Sequence, residues 1–425
     1  MYSYHFLLDL ALILLSTKLF GLVTKRFKMP QVVGALLAGL VFGPAMLNIL
    51  RETEFINQVS EIGVIVLMFT AGLETDVKEL RKTGAASFLI ALIGVIVPLI
   101  GGFAVAYFFN DGTASDATAS IFLQNIFIGI ILTATSVSIT VETLKEMGKL
   151  NTRAGNAILG AAIIDDILGI IALTIITSLA DTSVNVVIVL LKVLGFFAFS
   201  VVIGVLFYFL FNKWIKYYNQ DKRRFVIIAF VFCLLISYCA EVLFGVADIT
   251  GAFIAGLVVS NVQRSGYIAA RFETVSYMML SPMFFASIGI KVVLPEMTPT
   301  ILLFSVILAL VAVLTKVLGC GLGARLCRFS NKEALQIGVG MISRGEVALI
   351  VASKGAALGL MSSSLFGPVV VTVVFTTIIT PILLKLVFHS RKNGSAPPEP
   401  EFHSELINEY EEVIQITKEY PQNMR

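Results

Sequence analysis

The sequence predicts an all-α polytopic membrane protein of about thirteen transmembrane helices, arranged as two inverted six-helix repeats with two crossing discontinuous helices. Three observations carry that prediction: the composition, the alternation of charge between apolar runs, and a short motif that recurs once per half. Of the 425 residues, 57% are hydrophobic and only 14% charged, with a mean hydropathy of +0.92. Soluble domains carry about 25% charged residues. The apolar stretches, mostly ~18–28 residues, can cross a ~30 Å hydrocarbon layer as helices at ~1.5 Å per residue. The short alternating segments that a membrane β-barrel needs are missing.

Breaking the chain at Gly, Pro and charged clusters places segments at about 5–23, 30–50, 57–73, 84–109, 119–142, 153–180, 184–215, 223–244, 247–262, 266–291, 299–328, 333–360 and 363–388. The first is followed by KRFK with no small-residue cleavage site, so it is expected to remain as a helix and not to act as a signal peptide. Alternate connections are basic: KRFK at 25–28, Lys78/Arg81/Lys82, Lys145/Lys149/Arg153, Lys213 to Arg224, Arg264/Arg271, Arg325/Arg328/Lys332 and Arg391/Lys392. The intervening connections hold little Lys or Arg beyond Arg51 and Lys291. The positive-inside rule then puts the N-terminus outside the cytosol and the C-terminus inside, which requires an odd number of crossings. Residues 1–390 form the transmembrane part, with repeat 1 at about 5–180, a connector helix at 184–215 and repeat 2 at about 223–388. Residues 391–425, with SAPPEPE and an acidic ELINEYEEVIQITKEY, are expected to be a solvated cytosolic tail too short for a nucleotide-binding domain.

The repeat rests on GALLAGLV at 34–41 and GAFIAGLV at 251–258, seconded by MFTA at 68–71 and MFFA at 283–286 at nearly the same separation. The copies lie in the second and ninth crossings. Seven crossings apart, they run through the membrane in opposite directions, the arrangement of secondary transporters whose site lies between the halves at mid-membrane. Such a repeat calls for an interrupted helix at corresponding places in each half. The fifth segment holds TATSVSIT (133–140) and the twelfth MISRGEVALI (341–350), both poor as continuous apolar helices. Unwound backbone at that depth survives only where protein or a water-filled cavity satisfies it, and the facing half-helix ends leave partial charges to be compensated. Arg344 and Glu346, two apart and so not facing each other, are the expected compensators.

The sixth segment reads AAIIDDILGI, and Asp165 and Asp166 are the only charges between Ala154 and Ala180. About twelve residues, or ~18 Å, separate them from the basic connection at Arg153, too far for snorkelling. A charged Asp at that depth costs ~2.5–3.5 kcal/mol, so two of them must be neutralised or serve a function. Their side chains diverge by ~100° and face different surroundings. Lys316, about nine residues before Arg325, is the expected partner of one acid. The other, unpaired in a polar cavity, is free to hold a proton or a small cation but not both well, and exclusive occupancy combined with alternating access exchanges one for the other. The remaining polar residues carry no chemistry: Lys18, Lys192 and Lys354 are snorkelling or packing residues, and His5, His389 and His403 are peripheral. Cys233, Cys239, Cys320 and Cys327 lie in apolar helices without CxxC spacing, which points to packing and not to a disulfide framework or metal site.

The aspartate pair on the sixth helix, the TATSVSIT break before it, the lysine on the eleventh and SRGEVALI on the twelfth together resemble the bacterial Na⁺/H⁺ antiporters of the NapA type, within the monovalent cation:proton antiporters. The resemblance runs from about residue 5 to 388. It implies a six-helix core that moves like an elevator against a dimerisation domain, a homodimer, and residence in the bacterial plasma membrane. By position, Asp166 resembles the family's ion-binding carboxylate, where a transported Na⁺ would sit transiently, Asp165 the carboxylate paired with the lysine, and Lys316 that lysine. Thr133, Thr135 and Ser136 lie on the crossing stretch near the ion. The aspartate pair goes with electrogenic Na⁺ or Li⁺ exchange and needs no cofactor. Kef-type K⁺/H⁺ relatives usually carry Gln for the first acid and a large nucleotide-binding domain, both absent from this sequence. Among rival classes, a membrane aspartyl protease needs two acids sharing a proton, which neighbours on one helix cannot do. A passive channel would show repeated filter segments or charged rings. Nothing points to nucleic acid, because the basic residues of this +3 chain fall in short clusters between helices.

Overall fold

The computed structural model describes residues 4–26, 29–75, 77–110, 118–180, 186–217, 222–292 and 299–389; the expected tail at 391–425 lies outside them. In chain order the helices are α1 (His5–Arg26), α2 (Gln31–Phe42), α3 (Glu54–Glu74), α4 (Val77–Phe109), α5 (Ile121–Ile131), α6 (Val137–Glu146), α7 (Arg153–Ala180), α8 (Val186–Tyr217), α9 (Lys222–Tyr238), α10 (Asp248–Ser260), α11 (Ser265–Val275), α12 (Ser281–Ile290), α13 (Pro299–Leu326), α14 (Asn331–Gly340), α15 (Glu346–Ala357) and α16 (Ser363–Phe388). A wide π turn, Cys239–Phe244, extends α9, and another, Ser276–Leu280, joins α11 to α12. With α5/α6, α11/α12 and α14/α15 taken in line, the helices fill the thirteen segments read from the sequence. Among the described residues, eight are long and apolar enough to cross a membrane whole.

The second segment departs from expectation. The sequence suggests a run over 30–50, yet α2 stops at Phe42 after 12 residues. Pro44 pushes Gly43 into an extended conformation, and the chain folds back so that Leu47 N–H donates to Val41 O at 3.0 Å and Leu50 N–H to Phe42 O at 2.8 Å. At ~1.5 Å per residue such a helix reaches ~18 Å, well short of the bilayer.

The helices sort by packing into two groups. α4 to α7 and α13 to α16 pack on one another to form a core, while α1 to α3 and α8 to α12 form a scaffold. The groups meet where α6 touches α2 and α3, α16 touches α2, and α7 touches α8. The recurring motifs meet each other in the scaffold. A Cβ at Gly39, in the first GxLxAGLV-like run, would sit 2.0 Å from the carbonyl oxygen of Ala286, in MFFA. A Cβ at Gly256, in the second run, would sit 2.3 Å from that of Phe69, in MFTA. Each half thus presses its glycine helix onto the other half's companion motif, a reciprocal contact that only hydrogen at Cα allows.

Candidate ion-binding site

Both predicted breaks are present, and they touch. α5 ends at Ile131 and α6 begins at Val137; α14 ends at Gly340 and α15 begins at Glu346. Between them two short extended stretches cross, with Ser136 N–H donating to Ser343 O at 2.7 Å and the Thr140 hydroxyl donating to Gly340 O at 2.7 Å. The approach is close enough that a Cβ on Gly345 would stand 2.7 Å from Ser136 Oγ.

Four half-helix ends converge here, and two present their carbonyls. Arg344 is wholly buried and serves both: one guanidinium nitrogen donates to Ile342 O at 2.8 Å, just past α14, and another to Leu132 O at 2.6 Å, the cap of α5, and to Ala312 O at 3.2 Å on α13. A cation at helix C-termini opposes their partial negative charge. The Thr377 hydroxyl of α16 donates in turn to the Arg344 carbonyl. The Glu346 side chain, the second expected compensator, lies outside the described residues, as does that of Lys354.

The aspartates sit beside this crossing on α7, and the structure separates their surroundings. Asp165 is 2% exposed, and Lys316 Nζ, fully buried on α13, donates to both its carboxylate oxygens at 3.0 and 3.1 Å. Thr135 stands within hydrogen-bonding reach of the same carboxylate. Asp166 is only partly buried and makes no hydrogen bond or ion pair with the described residues. It faces a cavity of about 590 Å³ between core and scaffold, whose wall includes Thr133, Ala134 and Asp165 from the core and Asn57, Glu61 and Asp248 from the scaffold. Thr133 donates its hydroxyl to Ile130 O at 2.7 Å, and Ser136 turns its hydroxyl toward Ser138 at 3.3 Å and its N–H into the crossing. Thus Asp165, Asp166, Thr133, Thr135 and Lys316 come together, with Ser136 one step further into the crossing.

Sequence reasoning did not find Thr377, or Glu61, Glu241 and Asp248 on the cavity wall. The acids could have been flagged, because each lies at the end of an apolar segment opposite the basic connections. Thr377 carried no signal; it is one of many threonines in an apolar run. Cys233 and Cys320 are buried and unbridged, as packing residues would be. Lys18 packs its ammonium over the Tyr277 ring at 3.6 Å.

Two crossed broken helices, a buried Lys–Asp pair and a second carboxylate on a cavity between core and scaffold make up the candidate site of an all-helical chain whose long apolar helices can cross a membrane. The sequence profile described as "Sodium/hydrogen exchanger, transmembrane" matches residues 11–389. The chain belongs to that family. It is 40% identical over 392 residues to the Na(+)/H(+)-K(+) antiporter GerN of Bacillus cereus, covering 92% of this chain and 98% of the relative. It is 37% identical over 387 residues to a Na(+)/H(+) antiporter of Enterococcus hirae, covering 88% and 96%. Among solved structures, the sodium proton antiporter MjNhaP1 of Methanocaldococcus jannaschii superposes with a TM-score of 0.64 at 20% identity, over 88% of this chain and 94% of that one, and so shares the fold.

Proposed function

We propose that this protein is a secondary antiporter that exchanges Na⁺ or Li⁺ for protons, electrogenically, with cation and proton contesting Asp166. The observation that carries this reading is the division of labour between neighbouring acids. Asp165 is committed to Lys316, while Asp166 faces the cavity with no partner among the described residues. A carboxylate at such depth is costly while charged and unpaired, so it binds whichever cation is offered, H⁺ or metal. Carbonyl and hydroxyl oxygens such as those of Thr133 are the hard ligands that alkali cations take.

The site opens toward the end carrying Asn57, Glu61 and Lys291 and is closed toward the end carrying Lys145 and Arg153. With the basic connections in the cytosol of a bacterial plasma membrane, this is an outward-facing state, with the N-terminus outside. The two packing groups supply the moving core and the static scaffold of an elevator, and the reciprocal glycine contacts support two inverted repeats. A homodimer through the scaffold and the absence of any cofactor complete the reading. The potassium in the name of the Bacillus cereus relative favours one variant, in which K⁺ also enters the exchange.

Purified protein in proteoliposomes with a pH-reporting dye tests this. Added Na⁺ or Li⁺ should dissipate an imposed proton gradient, and Asp166→Asn should abolish the response. An Asp166→Asn protein exchanging at the normal rate removes that residue from the mechanism. The same vesicles given Li⁺, Na⁺ and K⁺ in turn settle the cation.

A further inference from the structure

The end of the molecule away from the cavity is closed by polar contacts between core and scaffold, and they converge on the last two residues of α6. Lys145 Nζ lies 2.9 Å from Glu74 Oε1, at the end of α3, and 3.9 Å from Glu273 Oε1 on α11. Glu146 reaches the beginning of α2, where Gln31 N–H donates to its Oε2 at 2.8 Å and Val32 N–H to its Oε1 at 3.2 Å. The first backbone N–H groups of a helix lack partners within it, and a Ser, Thr, Asp or Asn just before the helix normally supplies one. α2 has Pro30 there and no side-chain cap of its own. Its cap comes instead from a residue 115 positions away, on the other packing group. Behind the contact lies a cavity of only about 50 Å³, whose wall includes Thr17, Gln31, Glu142, Glu146 and Ser281.

We propose that Glu146 is the latch of the cytosolic gate: a core carboxylate that caps a scaffold helix only while that side is shut, so that each opening uncaps α2. The proposal rests on the alternating-access reading above. A core helix cannot move relative to α2 and keep two hydrogen bonds of about 3 Å to its N-terminus. The closed state is therefore favoured by the cap and by the dipole of α2, which meets a carboxylate at its positive end. The largely buried Lys145–Glu74 pair lies on the same seam and assists, whereas the longer contact from Lys145 to the half-exposed Glu273 adds little. Lys18, which borders the small cavity, and Lys385 on α16 are the other cations near the Glu146 carboxylate.

The test uses the full chain with its four cysteines replaced and Ser281→Cys as a reporter on the wall of the small cavity. A membrane-impermeant maleimide is added from the cytosolic side without transported cation. Glu146→Ala should speed labelling about fivefold, the equivalent of a cap worth ~1 kcal/mol, and Glu146→Gln, which keeps an acceptor oxygen, should fall between. Equal rates for all three in monodisperse protein overturn the latch. If Glu146→Ala does not fold, a Gln31→Cys/Glu146→Cys pair joined by a short cleavable dithiol reagent replaces it. Exchange should then stop on bridging and return on reduction, and full-rate exchange while bridged overturns the proposal. Labelling needs no ion at Asp166. An active Asp166→Asn with a normal latch effect would sink the site reading alone, and an inactive one with latch-independent labelling would sink this inference alone.

Discussion

Two fully buried cations stand close to the helix crossing, and they are satisfied in opposite ways. Lys316 is held by a carboxylate, both of whose oxygens accept from it. Arg344 is held by main-chain carbonyls of three separate elements. The difference is one of reversibility. A proton can cancel the charge of Asp165 and so release Lys316, whereas nothing in the chemistry of the cell cancels the partial charge of a helix end. On that chemistry the Lys316 contact can change with protonation while the Arg344 contacts cannot, although both residues bury one positive charge completely.

The largest effect expected from that contrast is at Arg344. Arg344→Ala strips the carbonyls of Ile342, Leu132 and Ala312 of their shared donor at once, and a buried polar group left unpaired costs ~1–3 kcal/mol. The variant should yield little or no monodisperse protein in detergent. Arg344→Lys should fare only partly better, because an ammonium cannot reproduce the fork that spans two helix ends. Normal yield and melting temperature for Arg344→Ala would erase the distinction between the two regions.

Much of this contrast was legible beforehand. The breaks were expected within 133–140 and 341–350, and the chain leaves helical form at 132–136 and 341–345, because hydroxyl-rich β-branched residues and an Arg-Gly-Glu step are poor in a continuous apolar helix. Matching the depths of charges that have no other outlet paired Lys316 with one of the two aspartates, and the family resemblance pointed to Asp165, which is the acid it holds. Arg344 was expected to compensate helix ends, but its acceptors were not readable, since every residue owns a carbonyl and only the fold says which are orphaned. The brevity of α2 was missed because its apolar run continues past Gly43–Pro44 in composition but not in conformation. The Glu146 seam was missed because charges at the ends of apolar segments read as ordinary solvated flanks. Its one sequence signal was an apolar run opening after Pro30 with no capping residue.

A smaller effect is expected at Lys316. Lys316→Ala leaves Asp165 buried without its counter-ion, a change that costs ~3–5 kcal/mol when the remaining group must stay charged. Asp165 can escape most of that by taking up a proton, an option the carbonyls around Arg344 lack. The folded variant should be recoverable, with a melting temperature well below that of the parent at alkaline pH and a deficit that shrinks as the buffer is acidified, because a neutral carboxyl needs no cation. Thermal melts of both proteins across the same pH series measure this. A deficit independent of pH would mean that Lys316 is as fixed a support as Arg344.

The smallest effect probes how the Arg344 region is itself held. The Thr377 hydroxyl donates to the Arg344 main-chain carbonyl and ties α16 to the stretch between α14 and α15. Thr377→Val keeps the shape and removes the donor, leaving one buried acceptor unpaired at a net cost of ~1 kcal/mol. In a protein of this size that lowers the melting temperature by only about 1–2 °C, and Thr377→Ser should restore it. Na⁺-driven proton exchange should stay within about twofold of the parent, because the guanidinium and its three acceptors are untouched. If Thr377→Val instead collapses the protein as Arg344→Ala should, then the permanence of this region lies in the main-chain tie and not in the arginine's charge.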